Sequence, residues 1–474
     1  MKTLKPHAFA MAILSLGTGA VLAADPAPSP KANIVIFIAD DMGWDDCGPY
    51  GNPTIRTPNI DRLARDGMRF DHAWLTASSC SPSRASILTG RYPHSTGCGE
   101  LHLPWTKDAV LMTTPLRDAG YWAASVGKWH PWGEEGVRQF DLVEEGGRPG
   151  GSEKWLGVLQ NRPKDKPFFL WLAAHDPHRP YAPNAFDPPH SPDDVVVPPY
   201  LPDTPEVRQD LAMYYDEIAR LDSSIGRVLG ELEAQGVLDN TFVLFLSDNG
   251  RPFPRDKTTV YDSGVRTPFI LRYPKIVQPG SHTASLASAV DVAPTVLEVA
   301  GLAPLPTFQG KSLVPILRDP KAVVRTHAFA EHNWHDVGGC ERGVRSEQFN
   351  YIRNWRPDLP GSPPADAAKG PTWDAMRRLH EAGKLPPHQA TCFVTPRPEE
   401  ELYDTQKDPF SLKNLAGDPA YEPVMQQMRA ALDEWQRETK DIIDPQNITP
   451  DGFDRNTYEK LIKTSHPSLK KGKY

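Results

Sequence analysis

The residue with the most distinctive chemical setting in this sequence is Cys80. It stands at the start of a predicted helix, with Pro82 in the first turn and Arg84 four residues further on. The backbone N–H groups at a helix N-terminus and a nearby arginine both stabilise negative charge. The segment therefore suits either a cysteine thiolate or a bound anion, although a lone cysteine in a protein is more commonly a small buried thiol.

Acidic and amide side chains follow two buried strands of the predicted sheet. Asp40 and Asp41 come directly after the apolar run 33–39, and Asp248 and Asn249 follow the run 241–246. Ligands of open α/β sheets bind beyond the carboxyl ends of the strands, so these side chains are candidate metal ligands. A set of oxygen donors without a soft ligand favours calcium or magnesium over zinc. In isolation, a solvated turn explains the two aspartates at the end of the first run equally well.

Basic side chains follow two further predicted strands. Lys128 and His130 come after the strand 121–126, and His178 follows the apolar run 167–174. A fixed positive charge and a proton carrier this close together can both reach an anion. An exposed lysine and a packed histidine would give the same pattern. Lys257 lies in the loop after Asn249, where an ordinary exposed lysine is the alternative.

The run that begins at Cys80 resembles the signature of the type I sulfatases, because it reads Cys-Ser-Pro-Ser-Arg and continues to Leu-Thr-Gly at residues 88–90. The segments 33–43 and 120–130 are similar to the opening strand and the second signature of that family. Its cysteine is oxidised to Cα-formylglycine (3-oxoalanine), so the resemblance implies that Cys80 is a precursor. One hydroxyl of the hydrated aldehyde would attack sulfur, and the other would expel sulfate. A formylglycine-generating or sulfatase-maturating enzyme is the partner implied.

The resemblance also implies roles for the other candidates. Lys128, Lys257 and Arg84 would neutralise the sulfate oxygens. His178 would protonate the leaving atom, and His130 would take a proton from the sulfated intermediate. The metal would be Ca²⁺, with Mg²⁺ as the alternative, and its ligands would be Asp40, Asp41, Asp248, Asn249 and an oxygen of the modified Cys80.

Within the family, the resemblance is closest to the heparan-type sulfamidases, which hydrolyse N-sulfoglucosamine. Three features depart from them: Lys257 replaces an arginine, Trp129 replaces a lysine, and the loop 180–194 is shorter. Because a lysine lacks the bidentate fork of an arginine, it can hold sulfate differently. Candidate sugar contacts, for each of which ordinary packing is the alternative, are His102, His332, His335 and Arg345.

The expected function is hydrolysis of sulfate from a sulfated saccharide, with N-sulfoglucosamine as the preferred substrate. The alternatives are an exo-acting O-sulfatase on another sulfated polysaccharide, a phosphonate or phosphate ester hydrolase of the same superfamily, and a non-catalytic protein that binds sulfated glycans. The sulfamidase-like segments argue against phosphorus chemistry. A binding protein would have no need of Cys80, His130 or Asp248, and all three are present.

The elements that carry these residues predict an α/β fold. Continuous apolar runs predict buried strands, and apolar residues at helical spacing predict a long helix over 210–233. From about residue 326, shorter alternating runs predict a small antiparallel sheet, followed by a helix over 422–440. The resemblance implies an alkaline-phosphatase-like α/β/α sandwich for residues 25–320 and a smaller C-terminal α+β domain for residues 321–474.

Composition and the chain's first residues bear on location and partners. Residues 1–24 combine Lys2 and Lys5 with an apolar run over 8–21, which is typical of a secretory signal peptide. We expect a periplasmic or secreted protein without membrane association after cleavage, since the run is short for a membrane anchor. The net charge of -8 provides no general basic surface for nucleic acid. Apart from Cys80, four cysteines can form two disulfides in three ways or stay reduced: Cys47, Cys98, Cys340 and Cys392.

Overall fold

The computed structural model describes residues 1–2, 30–106, 108–130 and 134–445. Beyond its first two residues, the predicted signal peptide lies outside this described part. None of the helices in the described ranges combines the length and apolar character needed to cross a bilayer. The described residues from Lys31 onward belong to one compact unit. The domain boundary between residues 320 and 321 stays a prediction.

The strands of the described residues are β1 (Asn33–Ala39), β2 (Met68–Phe70), β3 (Ala73–Trp74), β4 (Trp122–Gly127), β5 (Leu142–Glu145), β6 (Phe168–Ala173), β7 (Thr241–Ser247), β8 (Phe269–Arg272), β9 (Ser281–Thr283), β10 (Ala287–Ser288), β11 (Ala328–His335), β12 (Val337–Arg345), β13 (Phe349–Asn354) and β14 (Glu400–Asp404). The helices are α1 (Pro58–Arg65), α2 (Cys80–Thr89), α3 (Pro93–Thr96), α4 (Thr113–Asp118), α5 (Glu134–Val137), α6 (Trp155–Asn161), α7 (Pro205–Ala234), α8 (Asp262–Val265), α9 (Val292–Val299), α10 (Val314–Arg318), α11 (Pro371–Glu381) and α12 (Glu422–Thr439).

An eight-stranded mixed sheet in the order β5-β4-β6-β1-β7-β8-β2-β9 forms the centre of the fold. Every residue of β1 is buried, which explains its unbroken apolar sequence. Ile36 points into a core shared with α2 and α9, while Phe37 points into the core shared with α7. Helices therefore cover both faces of the sheet, and the expected α/β/α layering is confirmed.

Helix α7 forms most of one outer layer. It begins at Pro205, five residues before the predicted start, because Thr204 caps it. The Thr204 side chain accepts a hydrogen bond from the Val207 N–H, and proline is well suited to the first helical position. The apolar face of α7 is buried against the sheet, as its periodicity predicts.

The C-terminal part contains the predicted antiparallel sheet, in the order β11-β12-β13-β14. Helix α12 packs on this sheet through Leu432 and Trp435, which share a core with Val344 and Leu402. The sheet is joined to the larger part of the protein through its first strand, where the Glu331 N–H donates to the carbonyl oxygen of Thr76 at 2.8 Å.

A long connection between β13 and β14, which we call the 355–399 insertion, leaves the C-terminal sheet and packs against α7. Its helix α11 buries Ala375 and Met376 in the α7 core. The Thr372 hydroxyl donates to Asp210 of α7 at 2.6 Å. The insertion therefore connects the small sheet to the larger part of the fold beside the carboxyl edge of the central sheet.

An ion pair between α3 and the C-terminal sheet should make the free energy of unfolding depend on pH. His94 Nδ1 lies 2.5 Å from the buried Glu331 carboxylate. Burial alone would lower the pKa of His94, but Glu331 and Asp441 raise it above 6.5. Because the folded pKa is raised, the pair stabilises the fold fully below pH ~6.5, and this contribution disappears as the pH rises through the folded pKa.

We therefore expect His94→Gln to destabilise the protein more at about pH 6 than at about pH 8. Thermal unfolding across this range measures the effect. The control is His282→Gln, because His282 is 67% exposed and pairs with Asp71 at the surface. An equal loss at both pH values in His94→Gln would contradict the interpretation.

Candidate active site

The candidate residues meet because four parallel strands end in register. Ala39 of β1 pairs with Ser247 of β7, and Ile38 pairs with Ala173 of β6. Gly127 of β4 pairs with the same Ala173. The side chains that follow these strands therefore emerge at one edge of the sheet, as the sequence predicts.

The position of Lys128 depends on the glycine before it. Gly127 has φ +104°, and a Cβ there would lie 1.9 Å from the carbonyl oxygen of Ala173. The Lys128 N–H donates to the same oxygen at 2.8 Å. This tight end of β4 turns the lysine inward, so that its Nζ lies 2.6 Å from Asp40 Oδ2.

The predicted metal ligands form one buried cluster. One ligand atom each from Asp40, Asp41, Cys80 and Asp248 lies within 4.8 Å of all the others. The Asn249 Nδ2 atom lies 3.2 Å from Cys80 Sγ, and its Oδ1 is buried without a hydrogen-bond partner among the described residues. Three carboxylates fit a hard cation such as Ca²⁺ or Mg²⁺. The Asn249 amide turns its nitrogen to them, with Nδ2 3.0 Å from Asp41 Oδ1 and 2.9 Å from Asp248 Oδ1. The structure thus brings all five predicted ligands together.

Cys80 is the first residue of α2, as predicted, and is 1% exposed. Its Sγ lies 3.7 Å from Asp40 Oδ1 and 3.8 Å from Asp41 Oδ1. Burial raises the pKa of the Cys80 thiol above its ordinary value, although Lys128 and Lys257 oppose this shift. Burial therefore disfavours the thiolate alternative for the unmodified side chain.

Two further cations close the cluster. Arg84 is completely buried, with Nε 2.7 Å from Asp248 Oδ2 and Nη1 2.8 Å from the carbonyl oxygen of Lys128. Lys257 is 1% exposed, and its Nζ lies 2.8 Å from Asp41 Oδ2. The exposed-lysine alternative is thus wrong for both lysines, and three fixed positive charges surround the Cys80 side chain.

Because Arg84 is completely buried, we expect its replacement to lower the free energy of unfolding strongly. Arg84→Ala would leave the Asp248 carboxylate buried without its main cation, so we expect the free energy of unfolding to fall by about 3–5 kcal/mol. The control Arg65→Ala removes a side chain that is 68% exposed and pairs with Asp66, and we expect it to cost less than about 1 kcal/mol. Denaturant unfolding of both variants measures the difference, and equal losses would contradict this account.

Three of the predicted histidines lie around the cluster. His130 Nε2 is 2.7 Å from His102 Nε2, and His178 Nε2 is 3.8 Å from Asp41 Oδ2. Burial lowers the pKa of His178 to about 3, with a further contribution from Lys257. Burial and the Lys128 charge also hold the pKa of His130 well below its ordinary value. Both rings are therefore neutral in the free site at neutral pH.

The remaining sugar-contact candidates have different positions. His335 Nδ1 lies 2.7 Å from Ser79 Oγ, next to Cys80. His332 is buried, and its ring lies over Gly339 of the neighbouring strand. Arg345 is not brought to the cluster. It pairs with Asp262 and lies over the Trp74 ring, so its assignment as a sugar contact is corrected to a packing role within the fold.

Sequence reasoning missed Asp366, which lies in the 355–399 insertion. Its Oδ2 is 3.2 Å from Lys257 Nζ and 3.4 Å from His178 Nε2. No strand or recognised motif precedes this residue, so only the long-range packing of the insertion reveals it. The side chain of Asp366 is 19% exposed, which places it at the open side of an otherwise buried cluster.

Left-handed backbone conformations are concentrated around the cluster. Non-glycine residues with positive φ include Asp41 (72°), His102 (65°), His130 (68°), Thr258 (70°) and Asp336 (61°). Each such conformation costs about 1–3 kcal/mol and persists where the surrounding structure fixes it. The backbone here is therefore held in place by the rest of the fold.

The other four cysteines do not form disulfides. All five cysteines in the chain are free and buried. The sequence left open whether these cysteines pair as disulfides or stay reduced, and in the structure they are reduced.

Comparison with known proteins agrees with this site. The sequence model of a family described as Sulfatase matches residues 32–143 and 152–302. The chain belongs to the sulfatase family. A second model, described as N-sulphoglucosamine sulphohydrolase, C-terminal, matches residues 253–358. As a sulfatase the protein is a hydrolase, and the predicted enzyme class is confirmed.

Two curated relatives and one solved structure show how far the similarity extends. The sulfatase is 32% identical to human N-sulphoglucosamine sulphohydrolase, over 89% of this chain and 92% of the relative. It is 31% identical to an ulvan-active sulfatase of Formosa agariphila, over 85% of this chain and 74% of the relative. A protein solved in complex with its substrate D-glucosamine-2-N,6-O-disulfate superposes with a TM-score of 0.67 at 22% identity, covering 88% of this chain and 100% of that one. The expected alkaline-phosphatase-like fold class is thereby confirmed.

Proposed function

We propose that this sulfatase releases sulfate from a sulfated saccharide, with a terminal N-sulfoglucosamine of heparan type as substrate. The observation that carries the proposal is the position of Cys80, whose side chain ends between the basic groups of Lys128, Lys257 and Arg84. A buried site with three fixed cations suits a small, strongly acidic anion. The saccharide lies towards the open side, where His178 and Asp366 are partly exposed.

Two groups complete the site in this proposal. Formylglycine at Cys80 supplies a hydrate hydroxyl as the acceptor of the sulfuryl group, and Ca²⁺, or Mg²⁺ in its place, supplies positive charge. Asp40, Asp41, Asp248 and Asn249 would hold the cation together with an oxygen of the modified Cys80. The donor set supports this assignment, because the carboxylate oxygens converge at one place. Exchanging the oxygen and nitrogen of the Asn249 amide would turn its unpartnered oxygen to the same place.

The chain's own residues then bind, orient and move protons. Lys128, Lys257 and Arg84 neutralise the sulfate oxygens as charge shifts onto them. His178 donates a proton to the leaving atom. Its imidazole is neutral in the free site, and a bound anion raises the pKa of a neighbouring histidine, so we expect His178 to take up this proton together with the substrate. His130 is neutral and suited to accept a proton, and its contact with His102 fixes the orientation of its ring.

Two sources of support bear on the choice of saccharide. The human relative is an N-sulphoglucosamine sulphohydrolase, and the family model matched at residues 253–358 spans Lys257 and the strands β11–β13. The second candidate is an O-sulfated polysaccharide, which is favoured by the similar identity to an ulvan-active sulfatase. Lys257 also favours this second candidate, because the resemblance implies an arginine at this place in the sulfamidases and a lysine lacks its bidentate fork.

We further propose that the protein is exported, as its first 24 residues predict, to the periplasm or the medium. Export would occur with or after action of a formylglycine-generating or sulfatase-maturating enzyme on Cys80. The protein would act there without a nucleic acid or membrane partner.

The test is sulfate release by enzyme matured in the cell and assayed with calcium. The substrates are glucosamine N-sulfate and glucosamine 6-O-sulfate at matched concentrations. We expect release from the N-sulfate at a kcat/KM at least about 10-fold higher, a difference of ~1.4 kcal/mol in transition-state binding. Release from the O-sulfate alone would establish the second candidate instead.

A further inference from the structure

Asp366 lies at the open side of the site, and it is not among the five residues assigned above to the calcium ion. Its Oδ2 contacts the Lys257 ammonium and the His178 imidazole. Asp40, Asp41 and Asp248 are completely buried, whereas the Asp366 side chain is 19% exposed. A substrate group that binds Lys257 and His178 would therefore lie beside the Asp366 carboxylate.

The position of Asp366 is fixed from two sides. Its Oδ1 accepts a hydrogen bond from the Ala367 N–H at 2.8 Å, which caps the short helix that follows. The insertion that carries it is anchored by Thr372 to Asp210, and Asp210 pairs with both terminal nitrogens of Arg179 at 2.8 and 2.6 Å. Because Arg179 directly follows His178 in sequence, the same contacts fix the His178 imidazole and the Asp366 carboxylate relative to each other.

Asp366 is also a permanent hydrogen-bond acceptor. Burial would raise the pKa of its carboxyl group, but the Lys257 ammonium beside it outweighs burial and holds the pKa well below its ordinary range. An ionised carboxylate has acceptor sites and no proton to donate. A substrate atom placed beside it is therefore favoured if it carries a hydrogen and disfavoured if it has lone pairs alone.

We propose that Asp366 makes the enzyme select sulfate attached to nitrogen over sulfate attached to oxygen, by accepting a hydrogen bond from the bridging N–H. This inference rests on the proposed function and goes beyond it, because it names the residue that discriminates between the two substrate classes. The bridging oxygen of a sulfate ester has no hydrogen, so it would face the carboxylate with lone pairs only.

The overall reaction also favours a carboxylate at this place. It is R–NH–SO₃⁻ + H₂O → R–NH₃⁺ + SO₄²⁻: the S–N bond breaks, an S–O bond forms, and both protons of water end on nitrogen. The amine leaves as a cation, which Asp366 stabilises, whereas an ester releases a neutral alcohol. The interaction of Asp366 with the leaving nitrogen therefore becomes stronger as the N-sulfate reacts. The leaving oxygen of an O-sulfate has no such interaction.

The test compares Asp366→Asn with the parent enzyme on glucosamine N-sulfate and glucosamine 6-O-sulfate. Asparagine keeps the cap on the Ala367 N–H and removes the charge, so the fold is retained. We expect kcat/KM for the N-sulfate to fall about 10- to 100-fold while that for the O-sulfate changes less than about threefold. The matched control is Asp374→Asn in the same insertion, whose carboxylate is 57% exposed and should leave the ratio unchanged.

A binding measurement that requires no formylglycine accompanies the kinetics. In a Cys80→Ala background, calorimetry with the two sugars should show that Asp366→Asn weakens binding of the N-sulfate and not of the O-sulfate. Equal losses for both sugars, or no loss for either, in both measurements would overturn the inference. If the parent enzyme itself prefers the O-sulfate, N-sulfoglucosamine is not its substrate. The role of Asp366 in selecting nitrogen is then rejected as well. A failure of Asp366 alone leaves the parent preference for the N-sulfate intact, so the two failures are distinguishable.

Discussion

Replacing Cys80 by alanine is expected to abolish sulfate release, with a loss of at least about 1,000-fold in kcat, as for other nucleophile deletions. The physical reason is that alanine cannot be converted to an aldehyde hydrate, and the buried cations around it contain no substitute nucleophile. The fold should survive, because the change removes one sulfur atom at the start of α2. Sulfate release and thermal unfolding of the purified variant measure the two effects.

The control for this experiment is Cys340→Ala, which removes a buried thiol from the C-terminal sheet. It should retain sulfate release within about threefold, since it touches neither the cluster nor α2. Turnover by Cys80→Ala close to that of Cys340→Ala would show that Cys80 is not the source of the nucleophile.

Removal of the proposed calcium ion is the second change with a large expected effect. Chelation followed by dialysis should reduce kcat by at least about 100-fold, because the sulfate oxygens then lose the divalent charge that would offset their negative charge in the transition state. The melting temperature should fall as well, since a ligand that binds only the folded state stabilises it. Added Ca²⁺ should restore both properties, and added Mg²⁺ measures how selective the site is.

Arg138→Ala provides a matched background for the chelation experiment. Its side chain is 66% exposed and pairs with Glu134 far from the carboxylates in sequence, so this variant should respond to chelator as the parent does. Full activity of the parent protein after exhaustive chelation, with metal analysis showing no bound cation, would contradict the assignment of Asp40, Asp41, Asp248 and Asn249 as metal ligands.

The parts of the fold and site that sequence predicts are those governed by local patterns. The apolar run 33–39 indicates a strand buried on both faces, and parallel strands in register bring the residues after them to one edge. Asp40, Lys128 and Asp248 could be placed together for this reason. The predicted helices over 210–233 and 422–440 follow from periodicity and differ from the observed ones only at their ends.

The parts that sequence did not predict depend on packing between distant segments. Asp366 reaches the site because the 355–399 insertion packs on α7. The local sequence of residues 361–370 contains no pattern that predicts this packing. Arg345 looked like a free cation near the second sheet, but Asp262, 83 residues away in sequence, pairs with it. The sequence also leaves the protonation of Cys80 open, because it shows the helix start and not how deeply the side chain is buried.

The mass of the peptide containing Cys80, measured together with the rate of sulfate release, shows whether the aldehyde form of Cys80 is the nucleophile. Protein would be prepared with and without co-expressed maturating enzyme, so that the fraction of Cys80 present as aldehyde varies between preparations. We expect kcat per molecule to rise in proportion to the aldehyde fraction and to extrapolate to zero for the unmodified thiol. Undiminished sulfate release from protein whose Cys80 is entirely a thiol would contradict this expectation.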